Sequence, residues 1–579
     1  MDPASLQILI SRLTGVAEEM GAVLRRAAYS PNIKERADCS AALFTAAGEL
    51  LVQAEHIPVH LGSMPASVAA AIAAFASGAA SGPSLRPGQQ IILNDPFAGG
   101  THLNDITLVA PCFVDDELVG WAANRAHHAD VGGMAPGSIP PDAVEVYQEG
   151  LRIPPVLLSK GMVAVLCANS RTPDERRGDL DAQIGANVVG VRRLAALLAA
   201  SSAASSAEGG AVEGGAVDGA AVEGAAVDAL DEVLAYGERR MRAALADVPD
   251  GEWSFWDVLD SSGPRPSQQH PVRVAVTLRV SGDQVEFDFT GSDPQQPGNV
   301  NAVEAVTVSA VAFALRTVVD PTIPANGGAM RPVSVIVPPG SVVGALPPCA
   351  VGAGNVEVSQ RVADVCLGAL AEALPGRVGA ASQGTMNNVM IGGSGWVYYE
   401  TVAGGQGGRP GGLRGGSGAA AGMSGVHTGM TNTVKERHRS DGPRPGQSGI
   451  HTNMTNTSNT PIEALERAFP LRVLRYTLRR GSGGAGYSPG GEGIERDLQV
   501  LDDCSVSLIT ERRVSRPWGL EGGEPGAVGE NWLLPAGDEA RAEPLSDKCT
   551  VQLNAGDVVR MLTPGGGGWG ASSQVREVR

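Results

Sequence analysis

The sequence predicts a mixed α+β chain built in several layers. Its first segment repeats apolar residues at helical spacing. Short apolar runs separated by Gly and Asp turns recur after it. Gly (77) and Pro (39) are abundant among 579 residues, which favours loops and short strands over long regular elements. With 43% hydrophobic residues the chain can bury a large core.

Residues 1–29 read as an amphipathic helix. Pro3 suits its first turn after Asp2, and Leu6, Leu9, Leu13, Val16, Met20 and Leu24 fall on one face. The helix ends near Ser30-Pro31, because a residue before proline avoids the α region. Ala41–Thr45 and Leu50–Gln53 flank Ala47-Gly48 and read as a hairpin. A helix is predicted over roughly 64–78. Gln90–Asn94 reads as a strand and Asp95–Gly100 as a loop. Ile106–Val114 and Leu118–Asn124 are strands about the turn Asp115-Asp116. Helices are predicted near Ala229–Leu245 and over 355–374. Residues 271–290 alternate as strands about Ser281-Gly282-Asp283.

The chain divides into five regions of one intertwined unit. Residues 1–199 carry the candidate site. Residues 200–228 are a low-complexity acidic insert whose EGGAV-like unit repeats every five residues, a period of neither strand nor heptad, so disorder is expected. Residues 229–403 form a central α+β region, 404–447 a Gly-rich, duplicated and mobile insert, and 448–579 the C-terminal region. The duplication pairs SGVHTGMTNT (424–433) with SGIHTNMTNT (448–457). The second copy leads directly into Asn459-Thr460-Pro461 and a helical stretch, which marks it as the working one.

The net charge is −18 with no basic patch, which argues against a nucleic-acid partner. No uninterrupted apolar run is long enough to span a bilayer, and the amphipathic start is unlike a signal peptide. Seven dispersed cysteines without a CxxC pair suit reduced thiols and a cytoplasmic protein.

Histidine is scarce, nine in all, yet His56, His60, His102, His127 and His128 cluster. If the hairpin turns about Asp115-Asp116, facing residues have numbers summing to about 231. Asp105 then lies opposite Ala126, beside His127. His102, Asp105 and either His127 or His128 meet at one end of the sheet. Imidazole and carboxylate without thiolate suit Zn, Mn or Fe(II), and an open coordination position would activate water. Gly99-Gly100 and Gly132-Gly133 would permit close approach of a ligand. There is no GxxxxGK[ST] and no GxSxG, so neither a P-loop nor a serine elbow is present. The pairs Asn387-Asn388 and Thr455-Asn456-Thr457 read equally as substrate contacts or as turns.

These residues carry a resemblance. NDPFAGGTHLNDITLVAPCF (94–113) and WAANRAHHADVGGMAPGS (121–138) closely resemble the hydantoinase B family. That family includes the C-terminal half of eukaryotic 5-oxoprolinase and the large subunits of acetone and acetophenone carboxylases. Further blocks extend the likeness over nearly the whole chain, among them SPNIKERADCSAALF (30–44), AEHIPVHLGSMP (54–65), SQGTMNN (382–388) and TPGGGGWG (563–570). The resemblance implies a hydantoinase B-type fold and a two-component machine. An actin-like ATPase of hydantoinase A type phosphorylates a cyclic amide or its enol, and the B component holds a divalent metal and completes hydrolysis. The implied ligands are His102, Asp105 and a histidine of RAHHAD, taken as His127, with Asp38 of ERADCS as a further ligand. His128 and Asp130 would orient them, and Asn387 and Asn388 would touch substrate. The implied function is the B component of an ATP-dependent hydrolase opening 5-oxoproline or a hydantoin, in a hetero-oligomer with its ATPase. A component of a ketone carboxylase and a non-catalytic paralogue are the alternatives, the latter kept open by the insert and the duplication.

Overall fold

The computed structural model describes residues 1–54, 57–75, 85–208, 219–410 and 442–572. Helix α1 (Pro3–Ala27) starts where the sequence predicts. The Asp2 carboxylate caps it by accepting from the Ala4 and Ser5 N–H groups, and the stripe Leu6–Leu24 is buried. The short α2 (Pro31–Lys34) leads into β1 (Cys39–Thr45) and β2 (Leu50–Gln53). Helix α3 (Ser63–Phe75) precedes β3 (Ile91–Leu93), β4 (Asp105–Val114), β5 (Glu117–His127) and β6 (Val156–Leu157). These strands form an antiparallel sheet in the order β2-β1-β5-β4-β3-β6.

Strand alternation sorts this sheet's side chains to two cores. Ala41, Leu43, Ala122 and Ala126 face α1. Ala42, Phe44, Trp121 and Ala123 face α3. Helices α4 (Lys160–Ala168) and α5 (Pro173–Glu208) follow, and α5 packs against α1, β4 and β5. It does so with a polar stripe at four-residue spacing. Asp179 accepts from the Tyr29 and Ser30 N–H groups, Gln183 donates to the Ile106 carbonyl, and Asn187 donates to the Leu108 carbonyl.

The hairpin corrects one expectation. Asp105 faces His127, not Ala126, because a bulge between Cys112 and Phe113 shifts the register by one residue. The predicted sum of 231 holds only beside the turn, at Phe113–Leu118 and Val114–Glu117. Asp115 and Asp116 both have positive φ, +48° and +65°, as a tight turn between twisted strands requires.

The described ends of the acidic insert are helical. Helix α5 continues to Glu208, and α6 (Gly219–Leu245) begins ten residues before the predicted Ala229. Alanine is the strongest helix former, and five-residue spacing of acids does not oppose it. Residues 209–218 lie outside the described residues.

The central region adds β7 (Gly251–Leu259), β8 (Val272–Ser281), β9 (Gln284–Asp288), α7 (Glu304–Val319), α8 (Gly327–Met330) and β10 (Val333–Ile336), with sheet order β10-β9-β8-β7. A π-helical turn at Gly354–Val358 opens α9 (Ser359–Ala373). This helix is buried almost throughout and packs on α7, β7 and β8 in the largest core.

The C-terminal part contains, in order, β11 (Asn388–Gly393), β12 (Trp396–Thr401), α10 (Ile462–Ala468), β13 (Leu471–Arg479), β14 (Gly493–Val500), β15 (Cys504–Ile509), β16 (Glu530–Leu534), β17 (Glu543–Leu545), β18 (Lys548–Leu553) and β19 (Val558–Leu562). They make two sheets, β12-β11-β15-β18 and β13-β14-β19-β16-β17.

Between these sheets run glycine-rich segments joined backbone to backbone. Gly408 donates to Gly567 O (2.8 Å), Gly491 to Gln406 O (2.7 Å) and Gly566 to Gly491 O (2.9 Å). At Gly407 a Cβ would sit 1.8 Å from the Ala380 carbonyl oxygen, so only glycine allows this approach. The expected mobile insert 404–447 is therefore packed at its start, with Gly404–Gly408 buried. Residues 411–441, including the first HTxMTNT copy, lie outside the described residues. The stack fixes the chain directly after β12, which supplies part of the site.

Among the described residues one 18-residue stretch, Pro58–Phe75, is apolar enough to cross a membrane by length and composition, and 44% of it is buried. Helices and several sheets, with no closed barrel among the described residues, make the fold the mixed α+β type that the sequence predicts.

Candidate functional site

The site lies where the end of the β4–β5 hairpin meets β12. Asp105 opens β4 and is 1% exposed. Its Oδ1 lies 3.3 Å from His127 Nδ1. Its Oδ2 lies 3.3 Å from His102 Nδ1 and 3.4 Å from His60 Nε2, and accepts a 2.5 Å hydrogen bond from Thr101 Oγ1. His102 Nε2 and His127 Nδ1 are 3.1 Å apart. One ligand atom each from His102, Asp105 and His127 falls within 4.8 Å of the others, close enough to share one cation.

Electrostatics favour an ionised Asp105 and a neutral His127. Burial alone would raise the Asp105 pKa. The electrostatic pull of His102 and hydrogen bonds from His102, His127 and His60 outweigh it, holding the carboxyl well below the usual carboxylate range. Burial pushes the His127 imidazole down to about 3, so it is neutral at physiological pH and can offer a lone pair. His127 Nε2 is buried with no hydrogen-bond partner.

Asp38 sits just before β1, and its carbonyl accepts from the His127 N–H (3.0 Å). Its carboxylate lies 3.9 Å from Arg36 Nη2, and burial, opposed by Arg36, pushes it up to about 7. Asp38, Asp105, His60 and His127 line a small cavity of about 20 Å³. Ile57, Val59, Met386 and Met454 supply its apolar wall, and Thr401, Thr455 and Thr457 its hydroxyls.

Tyr399 of β12 is a group that sequence reasoning missed. Its ring stacks on His127 at 4.6 Å and 16°, and Arg36 covers it at 4.8 Å. The Tyr399 hydroxyl donates to Asn388 Oδ1 (2.9 Å), and Asn388 Nδ2 donates to Glu357 Oε1 (2.9 Å). Alternation along β12, which places Tyr399 and Thr401 on one face, is the only signal of it in the sequence. His60 belongs to the histidine cluster of the sequence, which assigns it no role. In the structure its Nδ1 pairs with Ser40 Oγ at 2.8 Å, which aims Nε2 at Asp105. His56 lies outside the described residues.

Other expectations land elsewhere. His128 turns away from the cavity and pairs with Gln183 Oε1 on α5 (2.9 Å). Asp130 accepts from the N–H groups of Arg171 (2.9 Å), Gly132 (3.2 Å) and Gly137 (3.3 Å) and pairs with the Arg171 guanidinium at 2.8 Å. It braces the loop after β5 and touches none of His102, Asp105 and His127. Asn387 donates to Gln383 Oε1 and the Val402 carbonyl and accepts from Arg513. Asn388 is equally committed, since it also donates to the Ile509 carbonyl. Neither amide is open to a substrate. Gly99 and Gly133 make close approaches, but to the chain itself: a Cβ would meet Ala66 O at 2.4 Å and Gln148 O at 2.6 Å respectively.

A buried cluster of two histidines and one aspartate, set at the end of an antiparallel hairpin and completed by a strand from the other half, makes this an α+β protein with a candidate metal centre. The model of the Hydantoinase B/oxoprolinase family matches residues 2–208, 222–436 and 441–572, and the chain belongs to that family. An uncharacterised protein of Methanocaldococcus jannaschii is 39% identical, with 99% of this chain and 91% of that protein covered. The 5-oxoprolinase 1 of Arabidopsis thaliana is 34% identical over 99% of this chain, which spans only 42% of it. A putative B-type D-/L-hydantoinase polypeptide of a Pseudomonas species is 29% identical over 98% of this chain and 90% of its own length. Among solved structures, the ATP-dependent caprolactamase of Pseudomonas jessenii superposes with a TM-score of 0.80 at 26% identity, covering 99% of this chain and 91% of that one. Acetone carboxylase shares the fold, with a TM-score of 0.81 at 19% identity over 99% and 76% of the two chains.

Proposed function

We propose that this chain is the metal-holding B component of an ATP-dependent cyclic-amide hydrolase. The observation that carries the reading is the buried cluster His102–Asp105–His127, present in a family whose named relatives include 5-oxoprolinases and a caprolactamase. The residues fit a divalent cation, Zn, Mn or Fe(II). Two imidazoles and a carboxylate converge without a thiolate, and His127 Nε2 is otherwise orphaned. His102, Asp105 and His127 would hold the ion, with Asp38 as a further ligand from the same cavity wall. When bound, the ion supplies Lewis-acid chemistry at the reacting oxygen.

The chain's own groups prepare that chemistry. Thr101 and His60 hold Asp105 Oδ2, so the carboxylate cannot rotate freely. Tyr399, clamped between Arg36 and Asn388, fixes the plane of His127. Ile57, Met386 and Met454 keep bulk water from the cavity.

ATP enters through a separate actin-like ATPase of hydantoinase A type, which activates the amide. An ATP requirement is supported by the ATP-dependent caprolactamase on which the chain superposes. The second reading, a component of a ketone carboxylase, is supported by a likeness of fold alone. Co-expression with an actin-like ATPase, followed by ATP turnover assays on 5-oxoproline, hydantoins, caprolactam and ketones with and without bicarbonate, separates the two. Amide hydrolysis without bicarbonate uptake is expected. Bicarbonate-dependent ketone consumption would contradict the proposal.

A further inference from the structure

The cavity carries a row of hydroxyls that the metal ligands do not use. Arg36 is fully buried, and its Nη2 donates to Thr401 Oγ1 at 3.0 Å. A guanidinium has no acceptor, so this bond has one direction only. It leaves the Thr401 hydrogen free to reach Thr457 Oγ1, 2.9 Å distant, a contact in which either hydroxyl can donate. Thr457 in turn can donate to Thr455 Oγ1 at 3.3 Å. The Thr455 hydrogen ends the row, and no acceptor for it is found among the described residues. All three threonines are buried and line the cavity with Asp38, Asp105 and His127.

We propose that Thr455 is a catalytic hydrogen-bond donor to the reacting oxygen of the substrate, aligned by a one-way hydroxyl chain running Arg36–Thr401–Thr457–Thr455. A chain headed by a buried charge polarises each successive O–H group, so the terminal donor is stronger than an isolated hydroxyl. It faces a wall of carboxylates and imidazole, where an oxygen bearing lone pairs or negative charge is the group that bridges donor and cation. At about 20 Å³ the cavity admits one water-sized group. It therefore admits a single reacting oxygen and not the substrate's ring. Thr401, Thr457 and Arg36 are positioning residues. This assignment gives a use to the second HTxMTNT copy, and it rests on the hydrolase reading above.

The test uses the full chain with its ATPase partner. Thr455→Val, nearly isosteric, should lower kcat about 100-fold while leaving KM within about threefold, the signature of a donor acting in the transition state. Thr455→Ser should recover kcat to within about fivefold of wild type, and Thr457→Val should fall between, about tenfold down. Metal content per chain should be equal in all. A second arm needs no turnover: calorimetric titration of formate, a small carboxylate that can present one of its two oxygens, into the Zn-loaded chain. Thr455→Val should weaken formate binding at least about fivefold. If the wild-type pair opens no amide, the hydrolase reading fails and the formate arm alone decides the hydroxyl chain. Full kcat in Thr455→Val, unchanged formate affinity, or no formate binding to wild type would overturn the proposal.

Discussion

Replacing Gly407 with alanine tests how the glycine stack supports the site. The added Cβ would lie 1.8 Å from Ala380 O, 2.5 Å from Ala380 C and 3.0 Å from Ala381 O. A carbon–oxygen contact needs about 3.3 Å, so one backbone must retreat by roughly 1.5 Å. That retreat strains three hydrogen bonds: Ala380 N–H to Gly408 O (2.9 Å), Gly408 N–H to Gly567 O (2.8 Å) and Gly567 N–H to Ala381 O (2.8 Å). At about 1 kcal/mol net for each bond, plus about 1–3 kcal/mol for overpacking, the loss is about 4–6 kcal/mol. With an unfolding entropy of about 2.1 cal/mol/K per residue over the whole chain, Tm should fall by about 3–5 °C. Differential scanning fluorimetry would measure it. Gly185→Ala is the control: it sits in α5, has no atom within 4 Å of its Cβ, and should leave Tm unchanged or slightly raised. A Gly407→Ala chain that melts with wild type would refute the account of the stack as backbone-only packing.

Three further outcomes follow. Tyr399→Leu removes the ring stacked on His127 and should weaken metal affinity about 10–100-fold, whereas Tyr399→Phe keeps the stack and should stay within a few-fold, both read by competition with a chromophoric chelator. Asp130→Asn should lower Tm by breaking the Arg171 pair yet leave metal content unchanged; loss of metal would restore the orienting role the resemblance implied. Burial raises Glu357 to about 8, so the folded chain keeps a proton that the unfolded chain releases near the ordinary glutamate value. Its contribution to stability is fully present at acid pH and is lost as pH rises through 8. Metal-free protein should thus lose up to about 2–3 kcal/mol between pH 6 and 8 from this group, and Glu357→Gln, which mimics the protonated acid, should flatten that slope in chemical unfolding. An unchanged slope would refute the assignment.

Much of the fold was legible because periodicity is a local property. The Leu6–Leu24 stripe, the Asp115-Asp116 turn and the alternation over 271–290 all became the elements they predict. The convergence of His102, Asp105 and His127 was legible because its members flank one hairpin. The register was not, because the bulge after Cys112 leaves no mark in hydrophobic alternation short enough to count. The described ends of the insert are helical, as alanine's helix propensity favours. Tyr399 and Thr401 were hidden, and the place of Thr455 and Thr457 beside the cluster was too, for a different reason. They reach the cavity from the distant half of the chain, and only tertiary packing brings β12 beside β5. Asn387 and Asn388 read equally as contacts or as turn residues, and in the structure their amides close buried networks.

The central claim is that His102, Asp105 and His127 hold a functional divalent cation. Elemental analysis of the purified chain, beside His102→Ala and Asp105→Asn variants with the same circular dichroism spectrum, tests it most directly. The account predicts about one Zn, Mn or Fe per wild-type chain and none in either variant. A wild-type chain free of metal after growth in metal-replete medium, or variants that retain the full amount, would contradict it.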